Sequence, residues 1–170
     1  GMVENIDHNV GRLTQKLDEL GITENTILIY TSDHGPCASS QDEHGRIRFN
    51  SGLRGMKTQL YEGGIKVPFF IRWPGKIAAN RDLDRLANPI DILPTLCAAA
   101  TIDPPADRTV DGENLLPLLK DEMELTGWPE RTICMQWHRG NAPVRYRNYA
   151  VIGQRYKLHR PTGMTVDELY

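Results

Sequence analysis

Cysteine is scarce: three residues in 170, at positions 37, 97 and 134, an odd number without metal-type spacing, which excludes a disulfide framework and a zinc cluster and leaves the redox compartment open. No run approaches the roughly 18 apolar residues of a membrane-spanning helix, and the start carries no apolar stretch of signal-peptide type. There is no basic excess either. The formal net charge of −2 gives nothing to neutralise a run of phosphates, so a dedicated nucleic-acid binder is excluded, and the total selects no polyanionic partner. Internal repeats and low-complexity tracts are absent. What remains is ordinary globular usage, 39% apolar and 25% charged, at a length that suffices for one domain with a core or a domain plus a small appendage.

The pattern along the chain predicts an α/β fold. Ile6, Val10, Leu13, Leu17 and Leu20 recur at steps of four and three, one face of a helix over residues 3–20, with Gly21 as its stop. Residues 26–31 read as a buried strand, and residues 67–73, with Val67, Phe69, Phe70 and Ile71 as core, as a second. Between them the polar segment 32–55 has no sustained period, and a loop of that length in a compact domain points to function. Residues 91–100 predict a helix with Asp91 as N-cap, because Pro94 is tolerated only in a first turn; Leu93, Leu96 and Cys97 then face the core. Residues 101–112, rich in Pro and Asp, read as a surface loop before a short helix around 115–119. A domain boundary is expected near Glu122. Beyond it, residues 131–137, 149–152 and 155–159 predict a small antiparallel sheet, the last two strands forming a hairpin about Gly153.

Two local clusters bear chemistry. The first, Thr31-Ser32-Asp33-His34-Gly35-Pro36, follows the first strand, where ligands bind in open α/β sheets. A carboxylate beside an imidazole and a turning glycine suits a divalent metal, and equally a polar turn capping a strand. The second is Gly52-Leu53-Arg54-Gly55-Met56-Lys57, then Tyr61-Glu62-Gly63-Gly64 and Val67-Pro68. Its glycines let backbone approach a ligand, and Lys57 offers a compact positive charge to the non-bridging oxygens of a transferring sulfuryl or phosphoryl group. Glu62 is placed to hold Lys57 or Arg54. Read alone, Lys57 is also compatible with a solvated loop lysine.

Together these motifs resemble the sulfatase family. The likeness runs from the helix Asn5-Ile-Asp-His-Asn-Val-Gly11 through Trp73-Pro74-Gly75 and Asp91-Ile92-Leu93-Pro94-Thr95 to Arg155-Tyr156-Lys157-Leu158, nearly the whole chain. The resemblance implies a partial alkaline-phosphatase-like mixed sheet flanked by helices, with residues 1–122 as the later part of a catalytic domain and 123–170 as a small antiparallel subdomain. It implies a divalent metal held by Asp33 and His34, calcium first; His34 stands where many members carry Asn, and imidazole shifts the preference toward zinc or manganese. Lys57 inherits the role of sulfate-binding lysine, with Arg54 and Glu62 behind it.

The same resemblance exposes gaps. The family's nucleophile is a formylglycine made within a Cys/Ser-x-Pro/Ala-x-Arg signature, and none of Cys37, Cys97 or Cys134 stands in one. The paired aspartates that complete the family's metal site are missing as well. Gly1 before Met2 reads as a tag remnant and both ends read as cut, so the expectation is a catalytically inactive fragment with weak or no metal binding and an exposed sheet edge open to self-association. The implied partners are a sulfated small molecule or glycan, with no nucleic acid and no membrane; a periplasmic or secreted location rests on the family alone. His44 and His138 are substrate candidates, each also explicable as a solvated loop residue or a strand-end packing residue. His8 and His159 read as surface residues. The alternatives are a phosphonate monoester or phosphodiester hydrolase of the same superfamily, and a non-catalytic relic.

Overall fold

A computed structural model describes residues 1–37, 49–124 and 127–170. Backbone contacts divide the chain into two compact units, each drawn from two separate stretches: residues 1–30 with 70–128, and residues 31–69 with 129–170. No helix among the described residues is long and apolar enough to cross a membrane.

The first unit opens with α1, Met2–Glu19. Gly21 ends it at φ +66, its N–H donating to Asp18 O (3.0 Å) while Ile22 N–H donates to Leu17 O (3.1 Å), the paired bonds of a Schellman stop. The predicted apolar stripe is real but open: α1 buries no residue, and Ile6 and Leu13 stay exposed. Strand β1, Leu28–Thr31, pairs with β2, Phe69–Arg72, in a two-stranded sheet that the chain leaves at Thr31 and re-enters at Phe69. Both strands were expected to be buried. Instead β1 is half-buried, and β2 alternates, with Phe70 65% exposed and near Tyr30 (ring centroids 6.1 Å apart). A continuous apolar run is fully buried only where both sheet faces are covered, and among the described residues one face is not.

After a 3-10 turn at Pro89–Asp91 comes α3, Ile92–Ala99. Asp91 stands at the N-cap position of α3 as expected but makes no side-chain cap bond there; the capping bonds belong to the 3-10 turn, whose cap Asn88 accepts from Ile90 N–H (3.2 Å) while Asp91 answers from the third position by accepting from Asn88 N–H (2.7 Å). The core face is corrected in part, since Cys97 is buried as expected but the two leucines are not. Leu93 and Leu96 are exposed, while Asp91, Pro94, Thr95 and Cys97 are buried, because the helix turns its polar start inward. The wholly buried Asp91 carboxylate also accepts from Glu113 N–H (2.8 Å), and the Thr95 hydroxyl donates to Asp91 O (2.6 Å) and accepts from Leu115 N–H (2.9 Å). Gly112 lies so close that a Cβ there would sit 2.1 Å from Ile90 O. These bonds seat α4, Leu116–Leu119, with Leu115, Leu116 and Leu118 buried.

The second unit is built on a four-stranded antiparallel sheet in the order β3 (Ile133–Gln136), β4 (Tyr149–Ile152), β5 (Lys157–Arg160), β6 (Glu168–Leu169). The expected hairpin joins β4 to β5 in the register Ile152 opposite Lys157, closed by Gly153 N–H to Tyr156 O (2.9 Å). On β5 the inward positions are Lys157 and His159, not Leu158. His159, expected at the surface, is completely buried; its ring meets Tyr61 edge-on with centroids 4.4 Å apart. Partners distant in sequence reverse the usual alternation.

Candidate functional site

Everything the sequence singled out as chemical, apart from His44, which lies outside the described residues, belongs to the second unit. Past β1 the chain turns through Ser32 to Pro36, with Ser32 Oγ donating to His34 O (3.0 Å). His34 Nδ1 lies 2.7 Å from Gly35 O, a geometry in which that nitrogen carries the proton and Nε2 presents its lone pair. Nε2 in turn faces Asp33 Oδ2 at 3.0 Å. Two electron-rich donors converging on one point are satisfied by a shared proton or a cation, so this pair fits two positions of a divalent-metal site. Among the described residues no group of three or more His, Cys, Asp or Glu comes together to complete one.

The turn is held against the glycine-rich segment by backbone alone. Gly35 N–H donates to Gly64 O (2.8 Å), Lys57 N–H to Pro36 O (2.9 Å), and Gly63 N–H to Arg54 O (2.7 Å). The chains approach so closely that a Cβ on Gly35 would lie 1.9 Å from Gly63 O, one on Gly63 2.1 Å from Gly55 O, and one on Gly64 2.0 Å from Gln59 O. Only glycine fits at these three positions. The short helix α2, Glu62–Ile65, carries Gly63 and Gly64 into this contact. The bond to Pro36 therefore sets the Lys57 backbone beside the Asp33–His34 turn. Lys57 itself is exposed, and its ammonium has no hydrogen bond or ion pair among the described residues.

Neither residue expected to brace Lys57 does so directly. Glu62 Oε1 is taken by Lys157 Nζ (3.0 Å), a nearly buried ammonium from β5 for which a carboxylate is the natural partner. Arg54 turns the other way: its guanidinium lies 3.9 Å over the Tyr61 ring and donates to Tyr61 Oη (2.8 Å), Glu168 Oε2 (3.1 Å) and Tyr170 Oη. Burial and the nearby Glu168 carboxylate push the Tyr61 hydroxyl up, the hydrogen bond to Glu168 raises Tyr170 to about 12, and the same bond with Arg54 beside it holds Glu168 below the usual range. His159, shut in behind Tyr61 and near Lys157, is pushed down by burial first and by that ammonium second. His138 is exposed just beyond β3.

Tyr61, Lys157, Glu168, Tyr170 and Asn148, whose Nδ2 donates to Thr58 O (3.0 Å), are the residues that reasoning from local sequence missed. Tyr61 and Lys157 stood within quoted motifs, though without a role. The others reach the segment from 90 to 116 positions away, and no local pattern signals that.

Residues 1–102 match the Sulfatase family, and residues 55–170 match N-sulphoglucosamine sulphohydrolase, C-terminal. The steryl-sulfatase of Rattus norvegicus is 38% identical over 119 residues, covering 69% of this chain and 21% of that protein. A solved structure in complex with its substrate D-glucosamine-2-N,6-O-disulfate shares 28% identity at a TM-score of 0.67, covering 99% of this chain and 32% of that one. The phosphonate monoester hydrolase of Agrobacterium radiobacter shares 25% identity at a TM-score of 0.69, covering 100% of this chain and 33% of that one. The chain thus spans about a fifth to a third of the length of these proteins. Its overlapping family matches run from the first residue to the last on an alkaline-phosphatase-like fold, and this chain belongs to the sulfatase family.

Proposed function

We propose that the chain is part of a sulfatase, a hydrolase of sulfate esters, in which Lys57 binds the sulfate group and Asp33 and His34 supply two ligands of a divalent metal, calcium first. The observation that supports this reading is the hydrogen bond from Lys57 N–H to Pro36 O (2.9 Å), which brings the backbone of a lysine without an ion pair among the described residues next to the turn that carries the Asp33 carboxylate and the His34 imidazole. A cation and a fixed ammonium near one oxyanion stabilise the charge that develops on its non-bridging oxygens. The metal, when bound, supplies part of that charge stabilisation. Lys57 binds and orients the ester, Arg54 holds the loop through Tyr61 and Glu168, and Glu62 holds α2 to β5 through Lys157. His138 and His44 are substrate-facing candidates. The formylglycine nucleophile and the remaining metal ligands come from residues outside this chain, so the 170 residues alone do not turn over substrate. In this reading residues 1–122 are part of the catalytic domain and 123–170 the small subdomain.

Aryl sulfate and aryl phosphonate esters, assayed in parallel on the full-length protein containing this chain, test the proposal. The sulfate ester is expected to be the preferred substrate, and Lys57→Ala is expected to lower kcat by about 10²–10³-fold, as for loss of one charge-stabilising donor. Preference for the phosphonate, as in the hydrolase of Agrobacterium radiobacter, overturns the sulfatase reading, and an unchanged kcat overturns the role of Lys57.

A further inference from the structure

The near-neutral total charge conceals a sharp local imbalance. From Arg131 to Val166 the chain has no Asp or Glu and seven Lys or Arg. Lys157 is neutralised by Glu62, and Arg160 by Asp167 (2.7 Å). The loop between β3 and β4 is different: Arg139, Arg145 and Arg147 are exposed, and none of them has an ion pair among the described residues. Exposed Tyr146 stands between two of them, with the Arg145 guanidinium 4.6 Å and the Arg160 guanidinium 5.5 Å from its ring.

This loop is braced and tied to the candidate site. Gln136 Nε2 donates to Val144 O (3.1 Å) and Arg147 O (3.3 Å), and Trp137 N–H donates to Asn148 O (3.0 Å). At the loop's end the buried Asn148 donates through Nδ2 to Thr58 O (3.0 Å), one residue from Lys57. The arginine loop and the lysine loop therefore share a joint.

We propose that the β3–β4 loop is an anion-binding surface next to Lys57 that takes further sulfate groups of a sulfated oligosaccharide. The inference rests on the proposed sulfatase reading and narrows its substrate to a polyanionic glycan rather than a monosulfated small molecule. Guanidinium forks match the oxygens of a sulfate ester, and an exposed tyrosine ring offers a flat face to a pyranose. A nucleic acid is the poorer fit. Single strands are held by several large rings on which successive bases stack, whereas this loop exposes the Tyr146 ring and the smaller imidazole of His138, with Trp137 half-buried.

Binding of a heparin-derived octasaccharide to the chain, followed against salt concentration, tests the proposal. Affinity is expected to fall with salt, and the triple variant Arg139→Ala, Arg145→Ala, Arg147→Ala to bind at least about tenfold more weakly, with a log–log salt slope shallower by about two. The lysine version of the triple retains most of the binding, which separates lost charge from lost folding. A control triple, Arg12→Ala, Lys66→Ala, Lys76→Ala, removes equal charge elsewhere and leaves affinity within about twofold. No binding, an equal loss in the control triple, or tighter binding of a single-stranded DNA of matched charge each overturns the proposal. Because binding is read without turnover, a full-length protein that cleaves aryl sulfates yet ignores the octasaccharide refutes the loop alone, and a full-length protein that binds it without cleaving any sulfate ester refutes the sulfatase reading alone.

Discussion

His159 is a histidine in the wrong place by the rules of strand patterning. It occupies an inward position of β5 with no exposure, and neither ring nitrogen has a hydrogen-bond partner among the described residues. Burial against the Tyr61 edge opposes protonation most, the Lys157 ammonium opposes it next, the Glu168 carboxylate favours it, and Arg54 opposes it least. The balance lowers its pKa from the ordinary 6.5. In the unfolded chain this imidazole takes up a proton as pH falls through 6.5, while the folded chain resists, so stability is full above that value and declines below it until the folded group also titrates. Urea midpoints measured from pH 7.5 to pH 5 are expected to fall, and His159→Phe to flatten that part of the profile; an equally steep profile in the variant assigns the acid sensitivity to other groups. Local sequence misread this residue because Lys-Leu-His-Arg alternates with leucine where the core should be. The partners that turn the strand over, Tyr61 and Glu62, lie nearly a hundred residues earlier.

Between elements, the contact of α2 with β5 rests on the Glu62–Lys157 pair. Lys157 is nearly buried and Glu62 about half exposed, so removing the carboxylate strands an ammonium in a poor solvent while removing both groups does not. Glu62→Gln is expected to cost about 1–3 kcal/mol, the usual penalty discounted for the solvated partner, and the double variant Glu62→Gln, Lys157→Met less than that. Urea denaturation of the four proteins of this cycle measures it; additive losses would mean that the pair is not coupled. Elements whose signals are local were legible beforehand. The stop of α1 at Gly21 and the hairpin at Gly153 follow from spacing and turn chemistry. The start of α3 at Asp91 was legible too, whereas the 3-10 turn before it was missed although Asn88-Pro89 carried the sequence signature of a capped start, a polar cap followed by proline at the first position. In the candidate site, the proximity of the Asp33 turn to Lys57 was legible through the glycines, which announce close backbone approach, whereas Glu62 was paired with the lysine nearest in sequence instead of the one nearest in space.

At the scale of the whole chain, composition was a poor guide to partners, since a balanced total hides a stretch of 36 residues without a carboxylate. The α/β class was legible, but the interleaving of two units, each made from two separate stretches, was not: periodicity reports what a segment is, not which distant segment it meets. The two-stranded sheet leaves one edge of β2 unpaired among the described residues, with Phe70 65% exposed upon it. Such an edge is a template for pairing with another chain. Gel filtration over a range of concentrations is expected to show association that Phe70→Lys suppresses; a monomer at every concentration removes the edge as a contact.

The buried Asp91 carboxylate has a consequence for how this molecule would come apart. It clasps Asn88 on one side and Glu113 on the other, while residues 101–109 between them lie wholly at the surface. A protease nicking that exposed span is therefore expected to yield two peptides that still migrate as one particle under native conditions and separate only in denaturant, the bonds of Glu62 to Lys157 and of Arg54 to Glu168 also joining them, and Asp91→Ala is expected to speed further digestion around α4 without parting them. The clasp, rather than the continuity of the chain, is what keeps α4 in its seat.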